Sequence, residues 1–337
     1  MNKVIRTICY FIEEPDNKVI NKLNRIEEIL KNKGFEIQTK RICTTNTDCV
    51  KLKEKINNNS ILLGIGRLNL EETNNRLNDF LRAGDISFNL DLTKEKITNE
   101  SAKILFKIIK ERPEATFCFA YTFNNSSSSP YFPSAEFKKR GFAIGLQPTD
   151  LAEGCNSLEE WLKKMKETWD EINSLFNKDE EFLGIDSSIA PIFKGKGSFI
   201  NFMKKINSSF NDSILTDTYV KITNFIKKEN PKPIGLCGIM IPCLEDFELA
   251  EEYEKGNFTI ERNLFLSLNS GLGIDTYPIG VDEDTDKVTN ILKLVQGLSN
   301  KYNKPLSIRF VSDGNTKIGK KTNFKNQYLK DVVIRKL

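Results

Sequence analysis

The 337-residue chain contains no histidine, and this absence closes more chemistry than any residue present opens. Ser-His-Asp and Cys-His nucleophile systems are excluded, as are the zinc sites that need imidazole ligands. Proton transfer must fall to Asp, Glu, Lys, Cys or Tyr. Long apolar runs are also missing. No stretch approaches the roughly 20 residues that span a bilayer, and the opening MNKVIRTICYFIEE has an apolar run too short for a signal-peptide core, with acids directly after it. The seven cysteines (Cys9, Cys43, Cys49, Cys118, Cys155, Cys237 and Cys243) are odd in number and lack the close pairs that structural zinc sites prefer. Reduced thiols and a cytoplasmic location are expected.

Neither sign of charge dominates, with 50 Lys and Arg against 46 Asp and Glu for a net +4. The charges fall in mixed runs such as KKMKETWDE, without a basic block interleaved with aromatics, so neither nucleic acid nor membrane is an expected partner. What is present is apolar material at 39%, enough to bury a sizeable core.

The pattern alternates strand and helix. VIRTICYFI reads as a buried strand, and Val19, Leu23, Ile26 and Leu30 then recur at helical spacing before Gly34. FEIQTKRI, ILLGIG, ISFNLDL and ATFCFAYT read as further strands, with helices near 47–57, 70–83 and 99–112. Ser157 and Glu160 form a candidate capping box for a helix reaching Phe176. FLGID, PIGLCGIM, GIDTYPI, PLSIRFV and DVVIRK are the later strands, with two helical segments between 197 and 228, more over 245–268, and a long helix over 284–302. About ten strands with helices between most of them predict a large, mostly parallel α/β barrel in a single domain covering 1–337. The serine- and proline-rich stretch at 123–140 interrupts the rhythm, and its Tyr131, Phe132 and Phe137 predict a loop folded back onto the protein.

Functional loops belong at the carboxyl ends of parallel strands. GIDSSIAP places Asp186 there as a candidate acid or base, with Ser187 and Ser188 as ligand contacts; the same residues would also satisfy a turn. Lys196, Gly197 and Ser198 precede a helix whose first amides can hold a phosphate or carboxylate, although the spacing is not that of a P-loop and Ser198 also suits a plain helix cap. Gly238 lies in the strand before the acids Glu245 and Asp246, which suit a first helical turn. Cys243 sits beside them as a nucleophile or an idle buried thiol. Asp275 and Asp282 close the set as polar anchors in a loop without EF-hand spacing, and no metal site is expected.

Taken together, VIRTICYFI, SPYFPSAEF, FLGIDSSIAP with Gly197 and Ser198, GIMIP, GLGIDTYPI and KPLSIRFV resemble the domain-of-unknown-function 711 family (DUF711), in order along almost the whole chain. The resemblance implies an α/β barrel like that of pyruvate formate-lyase and other glycyl-radical enzymes, with loops entering or covering its mouth. It implies no established activity, and the cofactor stays unknown. Where the family often has a histidine after the proline- and phenylalanine-rich loop, this chain has Glu136 and Phe137, and Ser270 stands where a cysteine is common. No adjacent cysteine pair and no glycyl-radical motif around Gly314 or Gly319 is present, so radical chemistry is not expected. The expected role is a barrel that binds a small, anionic metabolite, or a non-radical enzyme using carboxylates and lysine. A regulatory or scaffold protein that retains the barrel is the competing expectation. A small molecule is the expected partner, and a homodimer is compatible with the sequence but has no marked surface.

Overall fold

Helix boundaries in the computed structural model, which describes residues 3–45 and 47–337, fall where side chains can satisfy the open backbone groups. α1 (Asn17–Lys31) begins at Asp16, whose carboxylate accepts from the Lys18 and Val19 amides, and it buries Val19, Leu23, Ile26 and Leu30. α2 (Cys49–Ile56), α3 (Leu70–Ala83) and α4 (Asn99–Glu111) follow the predicted periodicity. At α5 (Leu158–Phe176), Ser157 caps by accepting from the Glu160 amide at 3.2 Å. The Glu160 carboxylate, however, accepts from the Asn156 amide at 2.8 Å, one residue earlier than a capping box requires. Three helices rather than two occupy the next stretch: α6 (Phe199–Asn207), α7 (Phe210–Ile214) and α8 (Thr218–Glu229). The last are α9 (Phe247–Glu254), α10 (Ile260–Asn269) and α11 (Thr285–Tyr302). No helix among the described residues is long and apolar enough to cross a membrane.

The strands are β1 (Lys3–Phe11), β2 (Phe35–Ile37), β3 (Lys40–Cys43), β4 (Ile61–Leu68), β5 (Ile86–Asp91), β6 (Phe119–Phe123), β7 (Gly141–Leu146), β8 (Phe182–Asp186), β9 (Gly273–Pro278) and β10 (Leu306–Val311). They form one sheet in the order β8-β7-β1-β3-β4-β5-β6-β10-β9, with β2 paired to β1 off this path. From β1 to β6 all pairings are parallel, as they are between β7 and β8 and between β9 and β10. Two parallel blocks run in opposite directions and meet at antiparallel seams, β1 with β7 and β6 with β10. Helix-facing strand residues such as Ile8, Tyr10 and Ile42 join the main core, whereas Cys9, Phe11, Cys43 and Ala143 on the other face pack with Ala135, Phe132 and Phe137.

Several expected strands are different in the structure. ATFCFAYT is extended only from Phe119, because Pro113 starts a 3₁₀ turn that runs to Cys118. FEIQTKRI divides at Gln38 and Thr39. DVVIRK is not a strand: the amides of Val332, Val333 and Arg335 go to the side chains of Thr322, Glu254 and Tyr253. PIGLCGIM forms no ladder either, since Gly235 and Cys237 both have positive φ and the Leu236 and Cys237 amides go to the Asp186 carboxylate. This segment nevertheless bridges both sheet edges. Ile185 donates to the Lys232 carbonyl at 2.8 Å and Ile234 returns to Ile185 at 3.2 Å, while Leu272 donates to Ile239 at 3.1 Å and Cys243 to Asp275 at 2.8 Å. The strand ladder itself is not closed by regular pairing.

The loop over 124–140 folds back as expected, onto the face away from the helices. Asn89 donates to the carbonyls of Pro133 and Ala135 at 3.0 and 3.1 Å, and the Tyr131 hydroxyl donates to Leu146 at 2.8 Å. Glycines make the room: a Cβ on Gly64 would meet the Phe132 ring at 2.9 Å, and one on Gly145 the Tyr131 ring at 2.6 Å. Gly145→Ala is therefore expected to destabilise by about 1–3 kcal/mol through overpacking. Gly297→Ala, exposed in α11 with no atom near its added methyl, is expected to stabilise by up to about 1 kcal/mol. Urea midpoints at unchanged slope test both, and equal shifts would contradict the packing of the loop against Gly145.

Candidate functional site

On the face that this loop covers, strand alternation sets Arg41 on β3, Ser87 on β5, Ala120 on β6, Asp275 on β9, and Ser307 and Arg309 on β10. Between them and the loop tip at Tyr131 to Ser134 lies a cavity of about 390 Å³. Because the two blocks run in opposite directions, the first contributes residues at the amino ends of its strands, such as Ser60, Asp85 and Cys118, and the second residues beyond β8, such as Ala190 and Pro191. The second block also contributes Leu272 and Gly273 at the amino end of β9, so the cavity is not lined by carboxyl-end loops alone.

Three arginines enter the cavity. Arg6 sits at a bulge, since the β1–β7 register slips between Ile5 and Thr7, and this re-aims its side chain. Its Nη2 donates to Glu245 Oε2 at 3.2 Å and its Nη1 to Gln38 Oε1 at 3.0 Å. Gln38 donates onward to Gln147 at 2.7 Å and Gln147 to Asp150 at 3.1 Å, a chain that fixes the guanidinium from behind. Burial pushes the Asp150 carboxyl up to about 6. Arg309 donates to Asp275 Oδ1 at 2.6 Å and to Glu245 Oε1 at 2.5 Å. Burial works against the Arg309 charge, but the two carboxylates outweigh it and hold the guanidinium above its ordinary range.

Arg41 is different. It is 7% exposed, yet among the described residues it forms no ion pair. Its Nε donates to Thr39 Oγ1 at 3.2 Å, its Nη1 reaches the Pro130 carbonyl at 3.5 Å, and its guanidinium lies 5.0 Å from the centre of the Phe132 ring. Burial, then the neighbouring Arg6, push it down to about 10, which leaves it cationic at neutral pH. Burial pushes the Cys118 thiol up to about 11 and raises the Tyr131 hydroxyl well above its ordinary range, so both are neutral there.

Of the residues singled out from sequence, Asp275 lines the cavity. Asp186 is fully buried behind the wall: Oδ1 accepts from the Ser188 amide and hydroxyl and the Cys237 amide, and Oδ2 from the Ser129 hydroxyl and the Leu236 amide. Burial raises its carboxyl, and these donors pull it back. Ser187 accepts from Asn230 at 2.8 Å within the same buried network. Gly238 is a packing position, where a Cβ would meet Leu272 at 2.6 Å. Lys196 is exposed, and Asp282 accepts from the Ile318 amide at the surface. The anion-holding helix start at Gly197 and Ser198 is already filled from within. Asp246 accepts from the Phe199 and Ile200 amides at 2.9 and 3.2 Å and from the Ser198 hydroxyl at 2.6 Å, while it also caps α9. Cys243 is fully buried, and burial raises its thiol well above the ordinary range.

Arg6, Arg41 and Arg309 were not among the sequence candidates. Their signal was a charge inside otherwise apolar strands, VIRTI, KRIC and SIRFV, where a buried cation needs a reason.

Residues 86–326 match the model of the family described as Uncharacterised ACR (DUF711). The chain belongs to this family. The DUF711 match takes in the loop tip, Asp186, Glu245, Asp275 and Arg309, whereas Arg6 and Arg41 precede it. None of the curated proteins matches the sequence. Among solved structures, an anaerobic ribonucleotide reductase is similar at 9% identity and a TM-score of 0.33, covering 92% of this chain and 70% of that one. The anaerobic ribonucleotide reductase from Thermotoga maritima with citrate in its active site is similar at 9% identity and a TM-score of 0.32, covering 91% and 79%.

Proposed function

We propose that this DUF711 protein binds a small anionic compound in the cavity, with Arg41 meeting the ligand's charge. The observation that carries this is a nearly buried guanidinium without a carboxylate partner among the described residues. A charge removed from water costs several kcal/mol unless it is paired, and a ligand carboxylate or phosphate supplies the partner in the fork geometry that arginine prefers. Asp275 serves as a second polar anchor indirectly, by orienting Arg309. Asp186 acts as a positioning residue that fixes the wall at Leu236, in place of direct acid or base work on a ligand.

The same reading treats the sheet as a barrel, with residues 232–243 as the irregular stave between β8 and β9. Its support is the set of backbone bridges that this segment makes to both edges. The competing role, a scaffold without a ligand, leaves the Arg41 charge unexplained.

Thermal-shift and calorimetric titration with a panel of organic acids and phosphate esters tests the proposal. Arg41→Met is expected to weaken the tightest binder by about 30-fold or more, the scale of a buried charge partner worth at least about 2 kcal/mol. A chain indifferent to the whole panel, or a variant that binds as tightly as the parent, would overturn it.

A further inference from the structure

Building on the anion-site reading, we infer that the ligand is a monoanion carrying an apolar, ring-sized body. The charge count of the cavity carries the first half. Its wall holds the guanidinium groups of Arg6, Arg41 and Arg309 against the carboxylates of Glu245 and Asp275. Each oxygen of Glu245 is engaged by one arginine, and Asp275 faces Arg309, so Arg6 and Arg309 are matched within the protein. Asp85 at the rim does not change the balance, because it is exposed and paired with Lys53 at 2.7 Å. Cys118 and Tyr131 remain neutral. One positive charge is left over, on Arg41.

The donors on Arg41 agree with the count. With Nε turned to Thr39 and one N–H of Nη1 toward Pro130, the other N–H of Nη1 and both on Nη2 have no acceptor among the described residues. A single carboxylate accepts two of them side by side. A second ligand charge would meet either the carboxylates of Glu245 and Asp275 or an apolar wall, and both placements are unfavourable.

That wall carries the second half of the inference. Leu62, Phe117, Phe132, Met240, Ile241 and Leu272 are large apolar residues of that wall. Phe132 presents its ring beside Arg41, a setting in which a ligand ring stacks while its carboxylate reaches the guanidinium. A cavity of about 390 Å³ is in the size range of pockets that enclose such a molecule.

Calorimetry of the full chain with phenylacetate, its dianionic relative homophthalate, and acetate separates the possibilities. Phenylacetate is expected to bind roughly tenfold or more tightly than either of the others, and Arg41→Met to weaken phenylacetate binding by about 30-fold. Glu245→Gln, which raises the surplus to two charges, is expected to shift the preference toward homophthalate. Should that variant fold poorly, Asp275→Asn makes the same change at a second position. Homophthalate binding as tightly as phenylacetate to the parent, through Arg41, would overturn the monoanion inference and leave the anion site standing. Acetate binding as tightly as phenylacetate would overturn the apolar body. Binding by none of the three, with the wider panel also silent, would remove both this inference and the reading beneath it.

Discussion

Arg309→Met is expected to lower the stability of the chain by about 3–5 kcal/mol, the cost of leaving buried Glu245 and part-buried Asp275 without their shared cation. Arg309 is nearly buried and holds Asp275 and Glu245 together, so its loss leaves two acids with Arg6 alone. Adding Glu245→Gln and Asp275→Asn to the variant removes both unpaired charges and should recover part of the loss, since contacting residues do not add independently. Urea unfolding of the parent, single and triple variants measures both the loss and the recovery. A triple variant no more stable than Arg309→Met would show that the cluster is not the source of the effect.

Asp186→Asn should cost roughly 3 kcal/mol or more, although it changes only one atom. Every hydrogen bond at Asp186 is received, from two hydroxyls and three amides, and hydrogen bonds to a charged acceptor carry about 1.5–3 kcal/mol each. An asparagine, whichever way its amide is turned, sets an NH₂ against donors. The consequence reaches the cavity indirectly, through the backbone at Leu236, which the aspartate pins to the end of β8, and through Ser129, which holds the amide of Tyr131. Stability should therefore fall far more than the anion affinity of the chain that remains folded. A variant with unchanged stability and lost binding would instead return Asp186 to the role of a group that works on the ligand.

The strand and helix rhythm was readable because it rests on local periodicity. Val19, Leu23, Ile26 and Leu30 face the core as their spacing implies, and Gly34 follows α1 at positive φ. The failures share another cause. PIGLCGIM has the composition of a strand, but two of its central amides are claimed by the side chain of Asp186, some 50 residues earlier, and no pattern within the segment announces that. DVVIRK loses its amides to Thr322, Glu254 and Tyr253 in the same way. The site was less legible than the fold. Asp275 was reached from its loop, but the arginines sit in the middle of strands, where hydrophobic patterning draws attention to their neighbours. Gly197 and Ser198 looked like an anion site because the amides are indeed gathered there, and the sequence could not show that Asp246 already occupies them.

The antiparallel seams also bear on how the molecule assembles. Ile5 pairs with Leu146 and Tyr121 with Ile308, so both seams join strands far apart along the chain. During synthesis the first block is complete well before its neighbours exist, and it waits with β1 and β6 as bare edges that invite pairing with other chains. The loop over 124–140 covers the inner face between them and is made next, before β7. Tyr131 and Phe132, seated over Gly145 and Gly64, thus link the first block to the first strand of the second, whereas pairings as distant as Tyr121 with Ile308 are of the kind that slows folding. The residues that narrow the cavity would then also guide the order in which the two blocks come together.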